Sequence, residues 1–155
     1  MPSINSPFRY AGGKYYARKL ILEKIPEHTL YIEPFAGGAS IFFCKEKVEN
    51  NILNDIDLDL INTYQIIRDY PNELIELLKR RPVAQSRIPA ALTNGVAIGE
   101  PMPATKELHT FFKYHFSPQN ELERAMRWFY LNRTSYSGIM NFQNMYWGYG
   151  DKYSM

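Results

Sequence analysis

The spacing of apolar and polar positions predicts alternating helices and strands in the first half of the chain. Leucine and isoleucine at three- and four-residue intervals indicate helices with one apolar stripe, and short β-branched runs indicate strands. From these patterns we predict a helix over residues 14–25, a strand over 29–32, a helix over 39–47, a strand over 51–53 and a helix over 58–69. Pro26 should end the first helix, because proline lacks the amide proton that a helix interior needs.

The second half of the chain is predicted to be mainly helical. We expect a helix from Pro71 to the basic residues 79–81, a loop over 82–105, a helix over 106–116, a helix with Ser117 as its N-cap, and a loop or ribbon beyond Asn132. The loop prediction rests on four prolines and two glycines. Pro118 would occupy the first turn of the last helix, where proline is favoured.

The order strand–helix–strand–helix over residues 29–69 predicts an α/β fold with parallel strands. In such units a ligand binds beyond the carboxyl ends of the strands, against a glycine turn and a helix N-terminus. The stretch YIEPFAGGAS (31–40) has this form, because Gly37 and Gly38 separate a strand from the next predicted helix. Glycine allows the backbone to approach a ligand closely.

Asp55 adds to the ligand interpretation. It ends the second strand 18 residues after Gly37, near the ~20 residues at which an acid binds ribose hydroxyls in nucleotide folds. We therefore expect a ligand that contains a nucleoside, although a plain tight turn stays open and the spacing G-x-G-x-x-G is absent. The acids at 55, 57 and 59 do not form a calcium loop, because Leu60 and Ile66 replace the required glycine and glutamate.

Composition fits one folded domain without a disulfide. The 155 residues are 45% hydrophobic and 22% charged, with a net charge of +2 and a single cysteine, Cys44. No apolar run approaches the ~20 residues of a membrane span, and the amino terminus lacks an apolar signal core. We therefore expect a cytoplasmic protein with no membrane partner. The three histidines and Cys44 form no ligand cluster, so no metal is expected.

Four segments, in this order, resemble a known family: PFRYAGGK (7–14), YIEPFAGGASIFF (31–43), LNDID (53–57) and YLNRTSYSG (130–138). Together they resemble the Dam-type (D12 class) DNA adenine-N6 methyltransferases, which use S-adenosylmethionine. The resemblance implies an incomplete Rossmann-like S-adenosylmethionine-dependent methyltransferase fold with a mainly helical target-recognition insertion. It implies a cofactor-binding part over residues 1–69 and a target-recognition region, complete or truncated, over 70–155.

In that family the first two segments bind S-adenosylmethionine and the acid of the third binds its ribose. By position, the resemblance implies cofactor contacts from Tyr10, Ala11, Lys14, Glu33, Phe35, Gly37, Gly38 and Asp55. The chemistry agrees, since Lys14 suits the cofactor's carboxylate and Asp55 its ribose hydroxyls. Tyr10 or Phe35 suits an apolar or stacking wall, although both could equally be core aromatics.

The fourth segment resembles the entry to the family's target-recognition region and implies double-stranded DNA as a partner. The residues expected to contact DNA are Asn132, Arg133, Tyr136, Asn141 and Lys152. Arginine can bind a phosphate or a guanine edge, and tyrosine can stack on an unpaired base. A surface or helix-capping role for Arg133 remains the alternative. Residues 132–134 also match a glycosylation acceptor, which we set aside because no secretion signal is seen.

The family's catalytic segment, an acid or asparagine followed by two prolines and an aromatic residue, is absent, because the chain contains no Pro-Pro pair. In the family this segment accepts hydrogen bonds from the amino group of a flipped-out adenine. We therefore assign no catalytic residue and expect the chain alone to be inactive. Its expected partner is the missing C-terminal half or another chain. The whole enzyme would methylate adenine N6 and release S-adenosylhomocysteine.

Two other functions stay open. A non-catalytic nucleic-acid-binding module on the same scaffold would bind DNA without binding the cofactor. A small-molecule oxidoreductase on a dinucleotide fold would bind NAD, which the missing glycine spacing disfavours.

Overall fold

The computed structural model describes residues 4–149, and its elements follow the predicted order of helices and strands. They are α1 (Arg18–Leu22), β1 (Leu30–Glu33), α2 (Ser40–Cys44), β2 (Asn50–Leu53), α3 (Leu58–Asp69), α4 (Pro71–Leu77), α5 (Lys106–Tyr114) and α6 (Glu121–Thr134). Short 3-10 turns lie at Val83–Gln85, Ala90–Thr93, Tyr136–Gly138 and Phe142–Asn144. Helix α3 has the bounds that the sequence predicts. The side chain of Asp57 caps its first turn by accepting from two backbone N–H groups.

Strands β1 and β2 pair in parallel, as predicted, and α2 connects them. Glu33 lies opposite Leu53 at their carboxyl ends. Two backbone hydrogen bonds continue the pairing into the loops, from Asn54 N to Glu33 O at 2.9 Å and from Ala36 N to Asn54 O at 2.8 Å. The glycine turn after β1 and the acid after β2 therefore lie side by side. The chain is thus an α/β protein with a small parallel sheet.

The core lies in the helical part of the chain, where α6 packs against α3, α4 and α5. The larger buried cluster consists of Ile66, Leu74, Met102, Leu108, Phe112, Phe116, Ala125, Met126, Tyr130, Leu131 and Met145. A second cluster joins Phe8 to Leu60 of α3 and Trp128 of α6, with the Phe8 and Trp128 ring centroids 4.8 Å apart. Burial of Phe8 fixes the N-terminal segment on the helices and brings residues 9–14 to the carboxyl edge of the sheet.

The first two helices are shorter than predicted. Helix α1 covers Arg18–Leu22 instead of residues 14–25, and none of its residues is buried. An apolar stripe that buries none of its residues gives little helical stability, since most of that stability comes from tertiary packing. Helix α2 ends at Cys44 instead of residue 47, because Lys45 adopts an extended backbone conformation.

The prediction that Ser117 caps the last helix is wrong. Helix α6 begins at Glu121, and Asn120 is its N-cap, accepting from the N–H of Glu123 at 2.9 Å. The carboxylate of Glu123 in turn accepts from the N–H of Gln119 at 2.9 Å. These reciprocal bonds resemble a capping box and favour the later start.

The two segments predicted as irregular contain more structure than expected. The loop over 82–105 includes two 3-10 turns, and Pro101 forms an isolated antiparallel bridge with Lys79. Helix α6 continues to Thr134, past the loop start predicted at Asn132. Across residues 4–149, none of the helices has the length and apolar character that a membrane crossing requires.

Candidate functional site

The turn between β1 and α2 has an unusual backbone that three other segments hold in place. Gly37 and Ala39 both adopt left-handed conformations, with φ of 49° and 48°. The N–H of Gly37 donates to Asp55 Oδ2 at 2.8 Å, and its carbonyl accepts from the Tyr64 hydroxyl at 2.7 Å. The acid after β2 and a tyrosine of α3 therefore fix the glycine turn.

Tyr10 closes this turn from the N-terminal segment. A Cβ atom at Gly37 would lie 3.0 Å from the Tyr10 ring, and one at Gly38 would lie 3.1 Å from Tyr10 Cβ. A side chain at either position would force Tyr10 to shift by a few tenths of an ångström, so glycine favours this close approach. The first and second sequence segments therefore form one structure, although sixteen residues separate them.

The cleft formed in this way has a volume of about 220 Å³. It is lined by Tyr10, Gly12, Gly13, Lys14, Phe35, Ala36, Gly37, Gly38, Ala39, Ser40 and Asp55. Six of the eight residues predicted to bind a cofactor line it, whereas Ala11 and Glu33 do not. Phe35 is 82% exposed and stands beside the cleft as an open wall rather than in the core. The volume is below the ~300–1,000 Å³ of most small-molecule sites.

Lys14 and Glu33 place opposite charges beside the cleft. Lys14 Nζ donates to the Phe35 carbonyl at 3.1 Å and lies 3.8 Å from Glu33 Oε1. Glu33 is buried, and among residues 4–149 neither of its carboxylate oxygens has a hydrogen-bond partner of normal geometry. Burial raises the pKa of Glu33, and the charge of Lys14, the N–H of Phe42 and the charge of Lys45 oppose this increase only in part. The carboxylate thus lies where a further cation would stabilise it.

Asp55 presents free acceptor capacity to the cleft. Its two oxygens accept one backbone N–H each, from Gly37 at 2.8 Å and from Asp57 at 3.1 Å. An ionised carboxylate has about four lone-pair sites, so each oxygen can accept another hydrogen bond. Burial, together with the charges of Asp55 and Asp57, raises the pKa of Tyr10. The Tyr10 hydroxyl therefore stays neutral near pH 7 and can donate to a ligand.

Several residues of this site were not predicted from the sequence. Tyr64, which holds the glycine turn, lies within the helix predicted over residues 58–69, and no sequence motif marks it as a site residue. Gly12, Gly13, Ala36, Ala39 and Ser40 lie beside motif residues, and their proximity in the sequence is the signal that would have found them. Within the described part of the chain there is no group of three or more histidine, cysteine, aspartate or glutamate side chains suited to a metal ion.

A larger and open cleft of about 980 Å³ lies at the other end of the strands. Its lining comes from residues 22–29, before β1, and 44–48, before β2. It therefore lies at the amino ends of the strands and lacks the glycine turn and the strand-end acid. By its chemistry, the smaller cleft is the better candidate for a nucleoside ligand.

The residues predicted to contact DNA have different positions. Arg133, Tyr136 and Asn141 are exposed, and Arg133 lies in the last turn of α6. Lys152 lies outside the described residues. Asn132 is fully buried inside α6 rather than in a surface loop. Its Oδ1 accepts from the N–H of Arg9 at 3.0 Å, and its Nδ2 donates to the carbonyl of Arg9 at 2.7 Å. The structure therefore corrects the prediction that Asn132 contacts DNA, because its polar atoms are occupied inside the protein.

Buried polar groups of α5 and α6 support the segment after Arg133. Lys113 Nζ donates to the Met145 carbonyl at 2.8 Å, and His109 Nδ1 lies 2.8 Å from Thr134 Oγ1. Burial, with the charge of Lys113, lowers the pKa of His109, so its ring is neutral near pH 7. The N–H of Tyr136 donates to the carbonyl of Tyr146 at 2.8 Å. The exposed side chains of this segment thus stand on a fixed backbone.

Comparisons with known proteins show which family this sequence matches. The family model for D12 class N6 adenine-specific DNA methyltransferases matches residues 10–151. The DNA N-6-adenine-methyltransferase of Escherichia phage P1 is 29% identical over 139 residues, which are 88% of this chain and 16% of that protein. The DNA adenine methylases of Vibrio cholerae (strain ATCC 39541) and Escherichia coli (strain K12) are each 27% identical over 135 residues, which are 86% of this chain and 42% of theirs. The chain therefore spans less than half the length of these relatives.

Proposed function

Because the chain belongs to the D12 class of N6 adenine-specific DNA methyltransferases, we propose that it forms the cofactor-binding part and the start of the DNA-recognition region of such an enzyme. The whole enzyme would transfer a methyl group from S-adenosylmethionine to N6 of adenine. The observation that carries this proposal is the cleft in which Tyr10 and Lys14 meet Gly37, Gly38 and Asp55. These five residues come from three separate motifs of the family.

The proposed fold is an incomplete Rossmann-like methyltransferase domain. The parallel pairing of β1 and β2 supports it, as does the cleft beyond their carboxyl ends, where α/β folds bind ligands. In this proposal residues 1–69 bind the cofactor, and residues 70–155 form the mainly helical recognition region.

The chemistry of the cleft residues fits S-adenosylmethionine. A Cβ atom at Gly37 or Gly38 would lie 3.0–3.1 Å from Tyr10, so the two glycines let the backbone approach Tyr10 closely. Asp55 retains acceptor capacity for ribose hydroxyls, and Tyr10 or Phe35 offers a ring for the adenine. Lys14 would bind the cofactor's carboxylate, while the buried Glu33 would keep Lys14 in place and favour the cofactor's cationic end. Ala11 would contribute through the turn between Tyr10 and Gly13. When bound, the cofactor supplies the methyl group.

The proposed DNA surface consists of Arg133, Tyr136 and Asn141, with Lys152 included from the sequence. Exposure of the first three supports the proposal. A cation, an aromatic ring and an amide can together contact phosphate, stack on a base and bind a base edge. Double-stranded DNA is therefore the proposed macromolecular partner.

We assign no catalytic residue to the chain. Its sequence contains no Pro-Pro pair, and the relatives that it matches are more than twice as long as the matched region. The chain by itself is therefore expected to transfer no methyl group to DNA. Tritium from the labelled methyl group of S-adenosylmethionine, counted in DNA after incubation with the purified chain, measures this directly.

Calorimetric titration tests the cofactor assignment. S-adenosylhomocysteine should bind the chain, and NAD at the same concentration should not. Binding of NAD alone would favour the oxidoreductase that the missing glycine spacing disfavours. Binding of duplex DNA with no heat from S-adenosylhomocysteine would favour a nucleic-acid-binding module on this scaffold, and either result would overturn the proposal.

A further inference from the structure

Asn132 fixes the backbone of one residue in the N-terminal segment. Its carboxamide accepts from the N–H of Arg9 at 3.0 Å and donates to the carbonyl of the same residue at 2.7 Å. The backbone N–H and the backbone carbonyl of Arg9 are therefore both satisfied by the side chain of Asn132. Asn132 is fully buried in the last turns of α6, so the position of Arg9 is tied to the position of that helix.

The turn after α6 contacts the same residue. Gly138, in the turn Tyr136–Gly138, has a φ of 68°, and a Cβ atom there would lie 2.4 Å from the carbonyl oxygen of Arg9. Backbone atoms approach so closely that only glycine fits at this position. Arg9 is therefore held by Asn132 and lies directly against the turn that carries the exposed Tyr136.

The next residue in the chain belongs to the cofactor cleft. Tyr10 covers the glycine turn and lines the cleft, and its carbonyl accepts from the N–H of Gly13 at 3.0 Å. On the other side, Arg133 follows Asn132 directly and is exposed. The side chain of Asn132 therefore links the two proposed sites. Asn132 precedes Arg133 of the proposed DNA surface, and its partner Arg9 precedes Tyr10 of the proposed cofactor cleft.

We infer that Asn132 is a positioning residue that couples cofactor binding to DNA binding. This inference rests on the function proposed above. Contacts of DNA with Arg133 and Tyr136 stabilise the last turn of α6 and the turn after it in the position seen here, and the two hydrogen bonds from Asn132 to Arg9 pass this stabilisation on to Tyr10. Coupling between two binding sites is reciprocal, so the cofactor improves DNA binding by the same factor.

The test compares Asn132→Asp with a matched control. Aspartate has the size of asparagine and keeps the oxygen that accepts from the N–H of Arg9. It replaces the amino group that donates to the Arg9 carbonyl with a second oxygen, which would face that carbonyl oxygen. Asn62→Asp is the control, because Asn62 is also buried and its Nδ2 donates to the Glu121 carbonyl at 2.9 Å. That bond ties α3 to the opposite end of α6, away from Arg9.

The measured quantity is the dissociation constant of S-adenosylhomocysteine without and with saturating duplex DNA of mixed sequence. In the wild type and in Asn62→Asp, DNA should improve the affinity about fivefold or more. In Asn132→Asp, DNA should leave the dissociation constant of S-adenosylhomocysteine nearly unchanged. Amide hydrogen exchange gives a second measurement that needs no cofactor: DNA should protect residues 9–13 in the wild type and leave them unchanged in Asn132→Asp.

The outcomes separate the two hypotheses. An equal factor in the wild type and in Asn132→Asp, or no effect of DNA in the wild type, would overturn the coupling role and leave the cofactor site intact. No binding of S-adenosylhomocysteine under either condition would overturn the proposed function itself, and this inference with it. Gly138→Ala displaces Arg9 from the other side while Asn132 is unchanged, and it should also reduce the gain in cofactor affinity that DNA produces. If thermal unfolding shows that Asn132→Asp does not fold, Gly138→Ala replaces it in the test, and an unreduced gain would overturn the coupling role.

Discussion

Replacing Asp55 with asparagine removes one charge from the cofactor cleft while it preserves the shape of the side chain. In the structure the two oxygens of Asp55 accept from the N–H of Gly37 at 2.8 Å and the N–H of Asp57 at 3.1 Å. An asparagine has only one acceptor oxygen. Its amino group must therefore face one of these two donors or turn into the cleft.

The expected loss of affinity follows from the hydrogen bonds that remain. One charge-assisted hydrogen bond to a ribose hydroxyl is lost, which costs about 1.5–3 kcal/mol. Binding of S-adenosylhomocysteine should therefore weaken about 10- to 150-fold. Because Asp55 is only half-buried, solvent screening favours the lower end of this range.

Calorimetry on the wild type, Asp55→Asn and the control Asp57→Asn measures the effect. The Asp57→Asn substitution removes the same charge two residues away from Asp55. Asp57 does not line the cleft, and it caps α3, a role that asparagine fills equally well. The control should change the affinity less than about threefold. Equal affinity of the wild type and Asp55→Asn would exclude Asp55 from the site. Equal losses in both variants would mean that the cleft uses its general negative charge and not a contact with Asp55.

Three further predictions concern pH, backbone strain and DNA. Glu33→Gln should raise the melting temperature near pH 7. Burial raises the pKa of Glu33 above its usual value near 4.5, so the folded wild type loses stability as pH rises through that raised pKa. The gain should vanish below pH 4.5, and a gain that is independent of pH would contradict the assignment. Ala39→Gly should stabilise the fold to chemical denaturation by up to about 1 kcal/mol, because Ala39 has a strained φ of 48°. The control Ala36→Gly should destabilise the fold by about 1 kcal/mol. Equal effects of the two substitutions would refute the role of backbone strain at Ala39. Arg133→Ala should flatten the slope of log DNA affinity against log salt by about one unit, whereas Arg68→Ala, whose charge is paired with a neighbouring aspartate, should not. An unchanged slope in Arg133→Ala would make Arg133 a structural residue.

Elements whose local signals agree could be predicted from the sequence. Helix α3 has both a regular apolar stripe and the cap at Asp57, and its bounds were predicted without error. The start of α6 was missed because two local signals compete there. Ser117 with Pro118 is a good start, but Asn120 and Glu123 make hydrogen bonds that a pattern of residue types cannot rank.

Long-range polar contacts explain the other difference. Asn132 lies in a stretch rich in serine, asparagine and tyrosine, which favoured a surface role. Its partner, Arg9, lies 123 residues away, so no local pattern indicates that the carboxamide is buried. The hydroxyl of Tyr64 and the carbonyl of Gly37 form a similar pair. The motifs identified most of the cleft, whereas the side chains that hold it together depend on packing between distant segments.

Amide hydrogen exchange with and without saturating S-adenosylhomocysteine locates the ligand on the chain and is therefore the decisive test of the proposed cofactor site. Protection is expected in residues 10–14, 35–40 and 55, the three stretches that contain the lining of the smaller cleft. Residues 22–29 and 44–48, which line the larger cleft at the amino ends of the strands, should exchange at unchanged rates. Protection confined to residues 22–29 and 44–48 would place the ligand at the amino ends of the strands and overturn the proposed cofactor site.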